Sequence, residues 1–266
     1  MRMNTTVVHT FVLMTIVAII TNASFTGVGI DTVELGLTGT YNAVLWGSLS
    51  LPDSDAREGA NQQVLIFLGC GLLGFCLGAS SVSRSDYCLF LSMFSVFHYM
   101  EFALASLSHP PRFDALLLNH GIPYASAFTA ASLEHIFAPL VVAHSIRMAG
   151  LVAVVVGLTI RCTAVVTAGR AFTHLISTKR TDGHKLVTIG IYRYMRHPGY
   201  CGWFLWVSGS QLLAGNLICA IIFSVVTWKF FSERIEYEES LLVSMFGSEY
   251  ESYRSRTPWS GVLFIK

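Results

Sequence analysis

Charge is scarce in this chain. Asp, Glu, Lys and Arg make up 12% of its 266 residues, against roughly 25% in an ordinary soluble domain. Hydrophobic residues account for 53%, and the mean hydropathy is +0.58. A soluble domain of this length needs polar side chains to cover its surface, and they are missing. Cysteine is sparse too: Cys70, Cys76, Cys88, Cys162, Cys201 and Cys219 stand singly in or beside apolar runs, with no C-x-x-C pair. That excludes a disulfide scaffold and a paired-cysteine zinc site, and the thiols read as small buried hydrophobes. Composition likewise excludes disorder, collagen and a nucleic-acid-binding arm. What remains is a polytopic membrane protein. Its net charge of +1 is uninformative, but the charges are unevenly placed. Residues 1–169 carry 15 of the 33, and residues 170–266 carry 18.

A membrane-crossing helix needs about 20 mostly apolar residues. Six candidates precede the charged region: residues 7–23, 38–51, 64–82, 87–107, 122–144 and 150–168. The first reads as a retained helix, because no small-x-small cleavage site follows it. A polar loop covers residues 52–61, and Ser108-His109-Pro110-Pro111-Arg112 breaks the chain after the fourth span. Residues 169–197 form the most basic loop, which the positive-inside rule puts in the cytosol. The next apolar stretch, residues 200–231, is too long for one ordinary span. Gly215-Asn216 divides it into two pieces of about 22 Å each as helices, so a helical hairpin is expected. A hairpin would return the chain to the cytosolic side and bring residues 193–200 beside residues 229–239. The expected fold is all-α, with about eight transmembrane helices. Residues 1–168 would form an N-terminal bundle, and residues 169–266 a catalytic region.

Two segments are dense in functional groups. In the first, Tyr192-Arg193-Tyr194-Met195-Arg196-His197-Pro198-Gly199-Tyr200, Pro198 suits the first turn of a helix. The exposed N–H groups of that helix end favour a carboxylate or phosphate. An interfacial anchor is the plainer reading of the same Arg and Tyr residues. In the second, Glu233-Arg234-Ile235-Glu236-Tyr237-Glu238-Glu239, Arg234 and Glu238 share a helix face. A solvated, ion-paired helix end is the plainer reading there. His98 and Glu101 lie one turn apart in the fourth span, and Glu134 and His135 lie in the fifth. Hydrogen bonds between packed helices explain these four. Asn4 and Asn22 begin glycosylation sequences that are expected to stay unused.

Four pieces in order resemble the isoprenylcysteine carboxyl methyltransferase family. They are Ala168-Gly169-Arg170-Ala171-Phe172-Thr173-His174; Leu186-Val187-Thr188-x-Gly190-x-Tyr192 leading to Arg196-His197-Pro198-x-Tyr200-x-Gly202-Trp203-Phe204; Phe230-Phe231-x-Glu233-Arg234-Ile235-Glu236-x-Glu238-Glu239; and Phe246-Gly247-x-Glu249-Tyr250-x-x-Tyr253. Upstream, Phe97-His98-Tyr99-x-Glu101 and Leu116-Leu117-Leu118-Asn119-His120 also look like the family. The chain departs from the pattern at Ala171, at Gly199 and in the tail, where a second proline is missing. The Arg-His-Pro-x-Tyr piece alone is also similar to phospholipid methyltransferases and sterol reductases.

The resemblance implies an eight-span enzyme of the endoplasmic reticulum membrane with its catalytic face in the cytosol. It implies methyl transfer from S-adenosylmethionine to the C-terminal carboxylate of a prenylated cysteine in processed CaaX proteins such as small GTPases. Partners are then such proteins and the lipid bilayer, with no nucleic acid and no metal. A carboxylate drawn into a partly dry site needs a paired cation, and the Arg fork suits it. Arg234 is the first candidate and Arg170 the second, with Glu238 orienting Arg234. By resemblance, Leu186, Val187, Gly190, Tyr192, His197, Tyr200 and Glu233 would hold the cofactor. Phe172, Trp203, Trp206 and Phe230 are candidates for the prenyl path, or else ordinary packing and lipid-facing aromatics. The alternatives are a phospholipid N-methyltransferase or NADPH-dependent sterol reductase on a related fold, and a non-enzymatic membrane transporter.

Overall fold

The computed structural model describes residues 85–108, 117, 121–137, 141–174, 176–177 and 185–265. The first three expected spans, the loop at residues 52–61, the break at residues 109–112, most of the Leu116–His120 motif, and Lys179, Arg180 and Asp182 lie outside them. Among the described residues there are six α-helices and no strand: α1 (Ser85–Ser108), α2 (Ile122–Phe137), α3 (His144–Ala168), α4 (Pro198–Ala214), α5 (Leu217–Phe246) and α6 (Ser248–Arg256). Short 3₁₀ turns occupy Gly169–Ala171 and Gly190–Arg193.

The fifth expected span, residues 122–144, is corrected. Its helix stops at Phe137, two residues before Pro139 in sequence, where the missing N–H of a proline disfavours continuation. The next helix begins at His144, six residues before the expected start of the sixth span. Arg147 belongs in that added turn because it has partners: its Nη1 donates to the carbonyls of Leu213 and Ala214, both at 3.4 Å. With its 3₁₀ extension this is the one helix among the described residues long and apolar enough, at 28 residues, to cross a membrane by length and composition.

The closest helix pair is α3 against α4, and glycine makes it possible. A Cβ on Gly157 would stand 2.7 Å from the Gly202 carbonyl oxygen, and one on Gly202 would stand 2.6 Å from that of Gly157. Gly150 and Gly209 repeat the arrangement two turns along, with 2.5 Å to the Leu213 nitrogen and 2.8 Å to the Gly150 oxygen. Small residues at such a crossing let backbones touch where lipid offers no hydrophobic drive. On the other side of α4, aromatic rings from α1 and α2 form the core. Phe97 stacks on Trp206 at 3.9 Å between centroids, and Phe94 meets both Phe128 and Trp206.

Between α4 and α5 the chain turns at Gly215, whose φ of +82° is left-handed backbone that suits glycine. Polar groups from other helices hold this turn. The Glu134 carboxylate accepts from the N–H groups of Ile218 (2.9 Å) and Cys219 (2.7 Å), a favourable place for negative charge at a helix N-terminus. Arg147 sits on the last carbonyls of α4, the matching place for positive charge. Asn216 donates to the carbonyl of Ala131 at 3.0 Å. From this turn α5 runs back along α4, with Ser224 on Ser208 and Phe231 on Tyr200. It continues unbroken through the charged segment, because nothing between Leu217 and Phe246 breaks a helix. Its first half exposes Ile218, Ile221, Ile222, Val225 and Val226, and α3 exposes Val152, Val155, Val156 and Val166. Apolar strips of this kind suit hydrocarbon surroundings.

Candidate functional site

A cavity of about 580 Å³ runs along α4 and α5. One end is polar, where Arg196, His197, Tyr200, Arg234 and Glu238 meet. The other is aromatic and aliphatic, with Phe94, Phe128, Trp206 and Val207.

Pro198 opens α4 as expected from its place in the motif, and His197 is the residue just before it. The tail of the chain passes over this helix start. The Arg196 N–H bonds the Trp259 carbonyl at 3.1 Å, and the His197 N–H bonds that of Ser260 at 2.7 Å. The side chains turn toward α5. Arg196 Nε donates to Glu239 Oε1 at 2.7 Å, and its Nη1 to the Thr257 carbonyl at 2.7 Å. His197 Nε2 lies 3.1 Å from the same carboxylate oxygen, and Arg254 lies 3.3 Å from the other. Burial alone would raise the Glu239 carboxyl. The hydrogen bonds and charges of His197 and Arg196 outweigh burial and hold it down at about 2. Nearby, Tyr253 donates to the Tyr192 carbonyl at 2.7 Å, and burial pushes its hydroxyl up to about 12.

One turn earlier on α5, Arg234 and Glu238 are joined through Tyr200. Arg234 Nε donates to the Tyr200 hydroxyl at 2.9 Å, and that hydroxyl donates to Glu238. Arg234 Nη2 donates to the His174 carbonyl at 2.8 Å. The Arg234 guanidinium also lies 5.6 Å from the Tyr200 ring and 5.9 Å from the Phe230 ring. Its Nη1 has no partner among the described residues. The guanidinium is therefore aimed by two fixed acceptors and keeps donor capacity on the cavity side.

A second ion pair stands in the wall, with Arg161 in the cavity lining. Arg161 grips Glu101 with two parallel bonds, Nε to Oε1 at 2.7 Å and Nη2 to Oε2 at 2.9 Å. Its Nη1 donates to the Gly199 carbonyl at 3.1 Å, and the rings of Phe172 and Trp203 flank it at 5.0 and 5.2 Å. His98 meets the Tyr124 hydroxyl at 2.8 Å.

Of the residues singled out from the sequence, Phe172, Leu186, Val187, Tyr192, His197, Tyr200, Trp203, Trp206, Phe230, Arg234 and Glu238 line this cavity. Arg170, Gly190 and Glu233 stand outside the lining. Arg170 and Gly190 are exposed, and Glu233 is 72% exposed beside Lys229 at 4.0 Å. Sequence reasoning did not single out Arg161 with Glu101, nor Arg196 with Glu239. A signal existed for the first pair: one acid and one base, each alone in an apolar span, must find each other. For the second pair there was none, because Glu239 is one of four acids in its run.

The sequence profile of the isoprenylcysteine carboxyl methyltransferase (ICMT) family matches residues 148–244. A protein-S-isoprenylcysteine O-methyltransferase of Rattus norvegicus is 38% identical over 205 residues, 74% of this chain and 71% of that protein. A probable protein-S-isoprenylcysteine O-methyltransferase of Oryza sativa subsp. indica is 42% identical over 190 residues, 69% of this chain and 99% of that protein. A solved structure of a eukaryotic intramembrane Ras methyltransferase, ICMT, superposes with a TM-score of 0.74 at 28% identity, covering 97% of this chain and 96% of that one. The chain belongs to the isoprenylcysteine carboxyl methyltransferase family.

Proposed function

We propose that this protein methylates the C-terminal carboxylate of prenylated cysteine in processed CaaX proteins, small GTPases among them, with S-adenosylmethionine as methyl donor. One observation carries the reading: a single cavity joins a fixed guanidinium to an aromatic channel. A substrate that is ionic at one end and isoprenoid at the other needs that combination. The relatives' names and the family support the same reaction. By the same reading the chain crosses the endoplasmic reticulum membrane about eight times, and its polar end faces the cytosol.

The polar end fits such a donor. Arg196 Nη2 is buried and without a partner among the described residues, in the cavity lining, and it can donate to a carboxylate. Tyr192, Tyr200, Tyr250 and Tyr253 surround the same region, and aromatic faces favour a cation. When bound, the donor supplies an electrophilic methyl on a positively charged sulfur. The substrate carboxylate has a pKa near ~3.5 and is already ionised at neutral pH. No general base is therefore required. Arg234 would pair with the carboxylate and fix its position in the cavity. Held there, the carboxylate would accept the methyl on one oxygen, and the donor's sulfur would keep the electron pair of the broken sulfur–carbon bond. Tyr200 and the His174 carbonyl keep Arg234 in place once the substrate has become a neutral ester. Positioning is then the main source of rate. Phe172, Trp203, Trp206 and Phe230 exclude water around the lipid tail.

The charged groups gather at one end of the cavity, which disfavours a transporter lined with charge through the membrane. The decisive assay incubates purified protein with methyl-labelled S-adenosylmethionine and N-acetyl farnesylcysteine. A labelled, base-labile ester is expected. No ester, with saturable NADPH binding instead, would favour a reductase; label on a phospholipid amine would favour the phospholipid enzyme.

A further inference from the structure

Glu233 has no part in the reaction described above. It opens the charged run of α5, yet it stands outside the lining of the main cavity. Its partner among the described residues is Lys229 at 4.0 Å, and both side chains are exposed. A pair of this kind is weak and readily exchanged for another. Glu233 does line a second cavity of about 390 Å³, together with Ile176, Phe230, Arg234 and Tyr237. Phe230, Glu233, Arg234 and Tyr237 recur at i, i+3, i+4 and i+7, which is one face of α5. Ile176 comes from the segment that follows α3. Ile176, Phe230 and Arg234 also line the main cavity. The two cavities therefore share an edge, and Arg234 is on it.

A prenylated cysteine has three groups to place around its Cα. Its carboxylate goes to Arg234, and its thioether tail goes into the aromatic channel. The amide that carries the rest of the protein needs a third direction, outward past Arg234. The residue before the cysteine is one Cα spacing away, about 3.8 Å. Its side chain is then within reach of a cavity that borders Arg234. The chemistry of that cavity is selective. Phe230 and Tyr237 offer aromatic faces to a cation. Ile176 offers apolar surface to an aliphatic stem, and Glu233 supplies the opposite charge. An acidic side chain placed there meets Glu233 as a like charge. Arg234 does not reverse this preference, because its donors are turned to Tyr200, to the His174 carbonyl and to the substrate carboxylate.

We propose that the second cavity holds the side chain of the residue preceding the prenylated cysteine, and that Glu233 makes it favour lysine or arginine there. This rests on the prenylcysteine reading above. The test measures kcat/KM in neutral detergent for N-acetyl-Lys-Cys(farnesyl) and N-acetyl-Glu-Cys(farnesyl). Each is taken relative to N-acetyl farnesylcysteine, which has no preceding side chain. In the wild type at low salt the lysine dipeptide is expected to exceed the glutamate one about fivefold, and added salt should shrink the ratio. Glu233→Gln should reduce it to about twofold or less, and Glu233→Lys should invert it. Lys229→Ala should raise it, a gain that a damaged fold does not produce. The difference should lie in KM rather than kcat. A wild type that esterifies N-acetyl farnesylcysteine but treats the two dipeptides alike overturns the proposal and leaves the prenylcysteine reading standing. So does a ratio indifferent to both Glu233 variants. Loss of S-adenosylhomocysteine affinity in Glu233→Gln with an unmoved ratio overturns it too, and returns Glu233 to the cofactor. A wild type that esterifies none of the three refutes the prenylcysteine reading itself, and the preference falls with it.

Discussion

Arg234→Lys keeps the positive charge and removes the fork. In the structure the guanidinium is fixed by two acceptors on different segments, the Tyr200 hydroxyl at 2.9 Å from Nε and the His174 carbonyl at 2.8 Å from Nη2. A lysine ammonium is one point with a shorter reach. It can satisfy one of these acceptors or the substrate carboxylate, but not the three together. A hydrogen bond to a charged group contributes about 1.5–3 kcal/mol. Losing one such bond in the transition state lowers kcat/KM by about 10- to 100-fold. Arg234 is only partly buried, so the fold should survive, and cofactor affinity should change little because Arg196 and His197 are untouched. The measurement is ester formation on N-acetyl farnesylcysteine beside a calorimetric titration with S-adenosylhomocysteine. Turnover within about threefold of wild type would refute the argument, since a point charge would then serve as well as the fork.

Three further perturbations test the frame. Gly202→Ala would place a methyl group 2.6 Å from the Gly157 carbonyl oxygen and 2.8 Å from the Arg161 nitrogen; at about 1–3 kcal/mol for overpacking, Tm in detergent should fall by several degrees, and an unchanged Tm would deny the close crossing. Glu239 has its carboxyl held at about 2 against an ordinary 4.5, so its stabilisation is full above pH 4.5 and is lost as pH falls toward 2, a difference of about 3 kcal/mol. Glu239→Gln should flatten that part of an acid unfolding curve followed by helical ellipticity, and parallel curves would remove the assignment. His197→Ala should weaken S-adenosylhomocysteine about tenfold while the prenyl-substrate KM stays near wild type; equal losses for both ligands would make His197 a general structural residue.

Much of this architecture is visible in the chain before any coordinates. Pro198 marks the start of α4 because a proline fits where no N–H is needed. The stretch from Trp228 to Glu239 contains no breaker, so one helix had to carry apolar surface into the charged run. Gly215-Asn216 marks a turn because one residue there must adopt positive φ. The boundary between α2 and α3 was misplaced for a physical reason. Apolar composition runs through Pro139 into His144, and hydropathy does not register hydrogen bonds. Arg147 falls between the two expected spans, and its acceptors on α4 account for its place in the helix. The glycines at 150, 157, 202 and 209 carried a signal in their sevenfold spacing, but only the pairing of α3 with α4 gives that spacing a meaning. Glu238 was expected to orient Arg234 from the same helix face. A tyrosine from another helix intervenes, and no spacing within one helix could have revealed it.

Two buried ion pairs flank the reaction region, and neither is expected to add much net stability. Desolvating both charges costs about as much as their attraction returns, whereas breaking such a pair costs about 3–5 kcal/mol. Their effect is on register. Arg161 ties α1 to α3 through Glu101 and reaches the Gly199 carbonyl in the first turn of α4. Arg196 ties the entry of α4 to α5 through Glu239 and to the tail through the Thr257 carbonyl. His197 and Tyr200 lie between these two ties. A shift of α5 by one residue along α4, about 1.5 Å, would break the Glu239 contacts and carry Arg234 away from Tyr200 together. A reaction without a general base gains its rate from alignment, where an error of about 1 Å can cost a hundredfold. The scarce charges of this chain are therefore placed where they make helix slippage costly.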